Sequence, residues 1–299
     1  MTQHVFGAVL TARGVAANNR GETEGNTTTL QKLIWRGAVH TTVSAEALRF
    51  ALRARLAEMG AECNRTFEGA TRANVWKDPA FKGWSKDGEV TYADDDLLGF
   101  MSAEAAKEEN GKGSTKVRRS VLELTRAVSL EPWHGDVTFN AASPGATPSA
   151  AKKGTNPVPY ATEMHSTRYQ YGFALTPSEL RDAALAPMAL RALVDVGPVA
   201  GNQARFLFDF SPDNICFRVT SDRAPRLLYG FDLRDGDSPS LSALASKVRA
   251  GDVAANELVI GGPVSEFMTD NERQAFEGAK LYAGVKAACE SVCERLAQT

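Results

Sequence analysis

Residues 18–60 constrain the fold more than any other segment, because a polar loop there leads directly into a well-marked amphipathic helix. Ser44 stands where an N-cap belongs, and Gly60 stands where a helix would stop. Residues 4–12 are apolar on both alternating faces, which is typical of a strand covered on two sides. The sequence therefore predicts a strand–loop–helix opening, with a helix over 44–59 whose apolar positions are Ala45, Leu48, Leu52, Leu56 and Met59.

The same segment is a candidate site for a polyanion. Arg49 and Arg53 lie one turn apart on one helix face. The free N–H groups at the helix start would favour a phosphate. The preceding loop adds asparagine and threonine side chains, with positive charge from Arg20 and Lys32, and it contains no nucleophile paired with a base. The alternative is an ordinary solvated helix face.

Composition is that of a globular protein: 43% of the 299 residues are hydrophobic and 23% are charged. The chain shows no apolar run of membrane-spanning length and no basic segment before its first apolar stretch, so a cytoplasmic location is expected. A net charge of −2 argues against coating nucleic acid by bulk charge. Residues 1–77 nevertheless carry ten basic and six acidic side chains, a local excess of four.

Two clusters could suggest a metal, and neither has the expected spacing. Cys289 and Cys293 are one helical turn apart, but no further histidine or cysteine lies near them in sequence, so buried apolar packing is favoured. The consecutive residues Asp94, Asp95 and Asp96 cannot all face one ion. A charge cluster at a helix N-terminus, or a contact between subunits, is favoured instead. No metal or cofactor is predicted.

The remaining pattern predicts several further elements. Residues 60–116 suggest an insertion with a flexible tip around Gly111 and Gly113, and the glycine- and proline-rich residues 131–160 suggest either a surface linker or a projecting arm. The aromatic residues of strand 168–175 are expected to pack beneath a helix rather than stack on bases. The other expected elements are a strand at 118–130, a capping box at Thr176–Glu179 before a helix, a hairpin at 205–220 turning at Pro-Asp-Asn, a helix near 240–250, a strand at 257–262 and a helix over 270–296.

Five collinear runs carry a family resemblance that covers most of the first 220 residues. They are NNRGETEGNTTTLQKL from residue 18, VSAEALRFALR from residue 43, DDDLLGFM at 94–101, RRSVLELTRAVSLEP at 118–132 and YATEMHSTRYQYGFAL at 160–175. Together they resemble the DevR-type CRISPR-associated backbone (RAMP) subunit of the type I-B Cascade complex.

The resemblance, with the order of the elements, implies an α+β fold. We expect one RRM-like (ferredoxin-type) domain over 1–299 with extra C-terminal helices. A fingers-like insertion would lie at about 60–116, and a possible thumb or loop at about 131–162. Because no RNP1 signature occurs, binding is expected through the loop, the helix start and the insertions rather than through an open sheet face.

The implied function is that of a non-catalytic RNA-binding subunit that polymerises along the guide (CRISPR) RNA in antiviral defence. The implied partners are the guide RNA, target DNA through the guide, further copies of the chain and other Cascade subunits, with no membrane. Replacing Arg49 and Arg53 with Glu is expected to weaken RNA retention while leaving the isolated fold intact. The residues that the resemblance implies for RNA binding are Asn18, Asn19, Arg20, Lys32, Ser44, Arg49, Arg53, Met164 and His165.

Two other functions remain open at the sequence level. A ribonuclease of the same superfamily would use His4, His40, His134, His165 or the aspartates at 94–96, although no acid and base stand paired in the sequence. A transcriptional regulator would need a DNA-binding motif, and no helix-turn-helix signature is present.

Overall fold

The computed structural model describes residues 2–16, 23–71, 73–84, 90–103, 115–145, 157–200, 207–235 and 237–298. The helices in these ranges are α1 (Ala45–Glu58), α2 (Ala93–Leu98), α3 (Leu185–Val194), α4 (Ser242–Arg249), α5 (Asp270–Ala275) and α6 (Val285–Ala297). The strands are β1 (His4–Thr11), β2 (Gly14–Ala16), β3 (Thr23–Glu24), β4 (Thr27–Thr28), β5 (Lys32–Trp35), β6 (Ala38–Val43), β7 (Arg65–Glu68), β8 (Ala73–Trp76), β9 (Phe100–Ala103), β10 (Thr115–Arg118), β11 (Leu122–Leu124), β12 (Ala127–Ser129), β13 (Val137–Ala142), β14 (Val158–Glu163), β15 (His165–Thr167), β16 (Tyr169–Leu175), β17 (Pro212–Thr220), β18 (Asp232–Arg234), β19 (Ser238–Ser240), β20 (Leu258–Gly261) and β21 (Lys280–Tyr282).

A large, mostly antiparallel sheet is the centre of this mixed α/β fold. Its order is β21-β20-β17-β1-β16-β12-β6-β5, with β11 also paired to β16. Gly7 in β1 lies opposite Phe173 of β16 and Phe217 of β17. A Cβ at Gly7 would lie 2.0 Å from the Phe173 ring, so only glycine allows that ring to cover the strand. The Phe173 ring can therefore pack directly against the main chain of β1 at Gly7.

Both faces of the sheet are covered at its centre, around β1. Val5 and Val9 of β1 face a core formed with α1, α2, α3 and α6. Phe6 and Leu10 face a second core that includes α4. This alternation explains why every residue of β1 is buried, as the sequence predicts. The predicted packing of Tyr169, Tyr171 and Phe173 beneath helices is confirmed, since all three belong to the first core and are at most 1% exposed.

Several other sequence predictions are confirmed. The Ser44 hydroxyl accepts a hydrogen bond from the Ala47 amide at 3.2 Å, so it caps α1 as expected. The helix near 240–250 and the strand at 257–262 are present as α4 and β20. Cys289 and Cys293 pack in the first core, 1% and 5% exposed.

The predicted hairpin at 205–220 is wrong. Residues 212–220 form the single strand β17, and residues 201–206 lie outside the described part of the chain. The Pro-Asp-Asn sequence enters the strand at a bulge opposite Leu10 and Thr11. Its polar side chains serve tertiary contacts, because the Asn214 amide oxygen accepts from the Val264 amide at 2.7 Å. Long-range partners therefore override the local turn preference.

The predicted capping box and the long C-terminal helix are also wrong. Residues 177–179 form one 3₁₀ turn, and the Thr176 hydroxyl is hydrogen-bonded to His4 Nδ1 at 2.8 Å instead of capping a helix. The helix α3 begins only at Leu185. Between α5 and α6, Gly278 adopts a φ of +95° and the chain forms β21, which pairs in parallel with β20. The positive φ interrupts the helical pattern.

The interpretation of residues 131–160 as loop-like is corrected by a β-hairpin. The strands β13 and β14 pair antiparallel from Val137↔Glu163 to Ala142↔Val158, and residues 146–156 lie outside the described ranges. Val137 and Phe139 are 52% and 78% exposed on β13.

The predicted strand at 118–130 is divided among β10, β11 and β12. The predicted flexible tip at Gly111 and Gly113 falls in the undescribed residues 104–114. Across the described residues, no helix combines the length and apolar character needed to cross a bilayer.

Candidate nucleic-acid interface

A groove of about 580 Å³ lies between α1 and the β9–β10 hairpin. We call it the arginine groove, because four guanidinium groups line it: those of Arg49, Arg53, Arg65 and Arg118. The helix α1 buries Leu48, Leu52 and Leu56 against the sheet core, and this orientation leaves its two arginines on the side that faces the groove. The remaining lining residues are Glu46, Phe50, Leu98, Gly99, Phe100, Met101, Val117 and Ser120.

Arg53 lies at the buried side of this groove. Its Nε donates to Asp94 Oδ2 at 2.9 Å, and the two side chains are only 12% and 2% exposed. Arg49, one turn earlier, donates from Nη2 to the main-chain carbonyl of Leu98. Arg53 is thus neutralised by a buried carboxylate, whereas this bond of Arg49 has a neutral acceptor.

The three aspartates at 94–96, here named the acidic turn, form the first turn of α2 and are at most 2% exposed. Asp94 also accepts from the amides of Asn64 at 2.6 Å and Arg65 at 3.1 Å. Asp96 accepts from Arg118 Nη2 at 2.6 Å. The predicted charge cluster at a helix N-terminus is therefore confirmed, and the buried carboxylates find their partners within the chain.

Asp95 differs from its two neighbours. Among the described residues, its carboxylate accepts one hydrogen bond, from Asn64 Nδ2 at 2.9 Å. Burial raises the pKa of Asp95 to about 7, and the nearby Asp94 and Asp78 add to the increase against the opposing effect of the Asn64 bond. One carboxyl group beneath the groove therefore titrates near neutral pH.

Arg65 also lines the groove, and its guanidinium lies over an aromatic ring. Its cross-strand neighbour in the β7–β8 hairpin is Trp76, and the Arg65 Cζ lies 4.2 Å from the centre of that ring. Among the described residues, no carboxylate oxygen lies within 4.0 Å of its guanidinium nitrogens. Burial lowers the pKa of Arg65, and the charges of Arg53 and Arg49 lower it further while Asp94 and Asp95 oppose them.

A second group of predicted residues surrounds the start of β5. Lys32 Nζ lies 2.7 Å and 2.6 Å from the two carboxylate oxygens of Glu163, and it sits 4.1 Å from the centre of the Trp133 ring. Trp133 Nε1 donates to the main-chain carbonyl of Met164 at 2.8 Å. The charge of Lys32 is therefore balanced by Glu163, which also accepts from the Leu30 amide.

The predicted site residue His165 has an internal side chain. It is 4% exposed, and its Nδ1 is hydrogen-bonded at 2.7 Å to the Thr41 hydroxyl, which in turn contacts the Tyr169 hydroxyl at 2.8 Å. Burial lowers the pKa of His165 against the opposing effects of a hydrogen bond to Pro132 and of Glu131. The internally bonded imidazole therefore links β15 to Thr41 of β6.

The structure thus divides the predicted RNA-binding residues into separate groups. Arg49 and Arg53 meet in the arginine groove, Lys32, Met164 and His165 lie near Trp133 and Thr41, and Ser44 is the buried cap of α1. Asn18, Asn19 and Arg20 lie outside the described residues. Sequence reasoning missed Arg65, Arg118 and Trp76. The alternation of polar and apolar residues around 65–76 could have indicated the β7–β8 hairpin that pairs two of them.

Three of the four histidines considered for a nuclease form hydrogen bonds within the fold. His40 Nδ1 is hydrogen-bonded to the Ser129 carbonyl at 2.7 Å, and His4 contacts Thr176 as described above. Both are buried, whereas His134 is exposed. Within the ranges that the structure describes, no group of three or more His, Cys, Asp or Glu side chains could hold a metal ion.

Two comparisons with known proteins point to the same family. A family described as "CRISPR-associated negative auto-regulator DevR/Csa2" matches residues 10–182. A protein of Myxococcus xanthus (strain DK1622), named CRISPR-associated protein Cas7/Cst2/DevR, is 62% identical over 298 residues, which is 99% of this chain and 98% of the relative.

Solved structures show the same fold at low identity. One chain of a "CRISPR RNA-guided surveillance complex, pre-nicking" has a TM-score of 0.58 and 14% identity, covering 98% of this chain and 100% of its own. A chain of a "CRISPR RNA-guided surveillance complex" has a TM-score of 0.58 and 16% identity, with 98% and 99% coverage.

Proposed function

Because this chain belongs to the DevR/Csa2 family of CRISPR-associated proteins, we propose that it is a non-catalytic, RNA-binding backbone subunit of a type I-B Cascade surveillance complex. In this cytoplasmic ribonucleoprotein, copies of the chain would polymerise along the guide RNA and leave its bases free to pair with target DNA. The observation that carries the proposal is the full-length match at 62% identity to a Cas7/Cst2/DevR protein.

The described surface supports a phosphate-binding role for one of the predicted arginines in particular. Arg49 lines an open groove, whereas Arg53 is already paired with Asp94. We assign RNA contact first to Arg49, together with the predicted Asn18, Asn19, Arg20 and main chain at Met164. For Arg53, Lys32, Ser44 and His165, internal bonds support a role in positioning the surfaces around the strand.

The proposed domain organisation follows the family resemblance. We propose that 1–299 is one RRM-like domain, with 60–116 as a fingers-like insertion and 131–162 as a thumb-like arm. The β7–β8 and β9–β10 hairpins within or beside the first insertion, and the β13–β14 hairpin in the second, support that division. The covered sheet supports binding through insertions rather than through an open sheet face.

A scaffold is favoured over a nuclease by the use of the acidic turn. Asp94 and Asp96 accept hydrogen bonds from main-chain amides and from arginines, so their carboxylates act in folding. The described histidines His4, His40 and His165 are bonded to hydroxyl or carbonyl groups. A catalytic acid–base pair would need a free partner within hydrogen-bonding reach of the reacting proton.

The proposal is tested by purifying the tagged full-length chain from its native host with its associated proteins and sequencing the bound RNA. We expect CRISPR guide RNA in the wild-type preparation, less RNA with Arg49→Glu, and unchanged RNA with Arg191→Glu. Arg191 is a matched control because it is a surface arginine on α3, paired with Glu290. Recovery of no guide RNA overturns the proposal.

The alternatives are tested on the same preparation. Adding a complementary RNA with Mg²⁺ should give no cleavage, and adding duplex DNA in the absence of guide RNA should give no sequence-specific complex. Cleavage that is lost in Asp95→Asn would instead identify a nuclease, and specific duplex binding by the guide-free chain would identify a regulator.

A further inference from the structure

The charges in the arginine groove are unequally neutralised. Arg53 and Arg118 each pair with a buried aspartate of the acidic turn, at 2.9 Å and 2.6 Å. Arg65 has no such partner among the described residues, and Arg49 donates to a carbonyl. The nearby Glu46 raises the pKa of Arg49 less than burial and Arg53 together lower it. The groove therefore keeps positive charge at two points, Arg49 on α1 and Arg65 on β7.

The physical state of these two arginines favours an anion. Burial lowers the pKa of Arg49, and the neighbouring charge of Arg53 lowers it further, as it does for Arg65. Like charges that are crowded in a partly desolvated groove repel one another, and a bound anion relieves that repulsion. The Arg65 Nε is buried without a hydrogen-bond partner among the described residues, which leaves part of this guanidinium unsatisfied.

The Trp76 ring fixes Arg65 before any ligand arrives. The guanidinium lies 4.2 Å from the ring centre, and Trp76 packs edge-on against Phe81 at 5.4 Å between ring centres. A stacked guanidinium loses less rotamer freedom on binding, and its planar fork of N–H groups matches an acceptor with two oxygens. Trp76 thus pre-organises Arg65 for a bidentate acceptor such as a phosphodiester.

The opposite wall of the groove is apolar and exposed. Met101 and Val117 are directly paired across the β9–β10 hairpin and are 73% and 65% exposed. Phe50 of α1 is 48% exposed on the facing wall. Isolated apolar side chains are common on surfaces, but here three of them border a cationic groove. A ligand that combines one negative charge with a flat apolar face matches both properties.

We propose that the arginine groove binds one nucleotide of single-stranded RNA, with its phosphodiester held by Arg49 and Arg65 and its base lying on Met101 and Val117. This inference rests on the proposed function and extends it, because it places residues of the 60–118 region in direct contact with the strand. The groove is large enough for a nucleotide, at about 580 Å³. Arg53 and Arg118 then serve as positioning residues that hold α1 and β10 to the acidic turn.

The test measures the salt dependence of RNA binding by the purified full-length chain. The probe is a fluorescein-labelled single-stranded RNA of spacer length, followed by fluorescence anisotropy. Each lost phosphate contact reduces the slope of log K against log[salt] by about 0.7 for a single strand. We expect that reduction for Arg65→Gln, with a roughly 3- to 10-fold weaker affinity at physiological salt. Arg65→Lys should restore much of the slope, since it keeps the charge.

Two comparison variants separate the phosphate contact from the base contact. Arg191→Gln removes a charge from a surface remote in sequence from the groove and should change neither slope nor affinity. Met101→Ser should weaken the affinity about 2- to 5-fold while leaving the slope unchanged, because it removes apolar contact without removing charge. Circular dichroism of each variant establishes that the fold is retained.

The outcomes distinguish this inference from the proposed function. If the wild-type chain binds RNA and Arg65→Gln keeps both slope and affinity, the groove inference is overturned and the proposed function stands. If the wild-type chain binds no RNA, both are overturned. If Arg65→Gln leaves RNA binding unchanged but alters the association of RNA-free copies in sedimentation, the groove is an interface between proteins, and the nucleotide assignment is wrong.

Discussion

Arg49 and Arg53 lie one turn apart on α1, yet their guanidinium groups have different surroundings. Arg53 meets the acidic turn, where Asp94 is 2% exposed, while Arg49 and the cross-groove Arg65 face an open groove. The acidic turn is a neutralised, internally bonded region, and the arginine groove above it is not. The comparison teaches that helical spacing identifies which arginines share a face, whereas the segment packed on that face decides which of them can bind a ligand.

Reversing the charge at Arg53 and at Arg49 should give the largest difference in the free energy of unfolding. Arg53→Glu would place a carboxylate beside buried Asp94, and we expect a loss of about 3 to 5 kcal/mol in the free energy of unfolding. Arg49→Glu should cost about 1 kcal/mol or less, because its bond is to a carbonyl at the groove surface. Urea denaturation of both variants measures the difference. The sequence alone led us to expect an intact fold after substitution of Arg53, and the structure revises that expectation. Equal losses of unfolding free energy in the two variants would contradict the comparison.

Removing one carboxylate of the acidic turn should be nearly as costly. Asp96 is fully buried and accepts from Arg118 and from the amides of Arg181 and Asp182, at 2.8 Å and 3.1 Å. Asp96→Ala leaves these donors unsatisfied, and we expect a loss of about 2 to 4 kcal/mol. The control is Arg119→Ala, which removes an exposed ion pair with Glu123 and should leave the free energy of unfolding nearly unchanged. If Asp96→Ala left the free energy of unfolding unchanged, the acidic turn would not anchor β10.

The titration of Asp95 offers a test that depends on pH. Its pKa is raised to about 7 from an ordinary 3.8, so the folded protein holds a proton that the unfolded chain loses in this window. The contribution of Asp95 to stability is therefore complete below pH 3.8 and is lost as pH rises to about 7.

Asp95→Asn removes that loss while keeping an oxygen for the Asn64 bond. Relative to the wild type, the variant should gain about 1 to 3 kcal/mol in unfolding free energy between acidic and neutral pH. Denaturation series across this range measure the gain. A difference between the two proteins that does not change with pH would contradict the role assigned to Asp95.

The smallest expected effect concerns the support of Arg65. Trp76→Leu removes the ring beneath the guanidinium, and a double-mutant cycle with Arg65→Gln should give a coupling of about 0.5 to 1 kcal/mol in stability. The hydrogen bonds of the acidic turn should persist in both variants, since Asp94 contacts the Arg65 main chain rather than its side chain. Zero coupling would show that the stack does not hold Arg65 in place.

Much of the fold could be predicted where short-range pattern and burial agree. The two-sided apolar run of β1, the capped helix α1 and the aromatic strand β16 all appear as expected, because each carries its own periodicity. The hairpin at 205–220 and the helix over 270–296 were wrong, because Asn214 and Gly278 take roles set by distant partners or by a positive φ. The candidate site was predicted as a set of polar and basic residues, without Arg65, Arg118 or Trp76.

The sequence by itself determined the family, the strand–loop–helix opening and the presence of arginines at one-turn spacing on α1. Only the tertiary structure decided which arginine is neutralised, because Asp94 reaches Arg53 from 41 residues away. It also decided that Arg65 stacks on Trp76, since a cross-strand pair depends on hairpin register. Charge and periodicity are properties of the chain, whereas desolvation and ion pairing depend on which segments fold against one another.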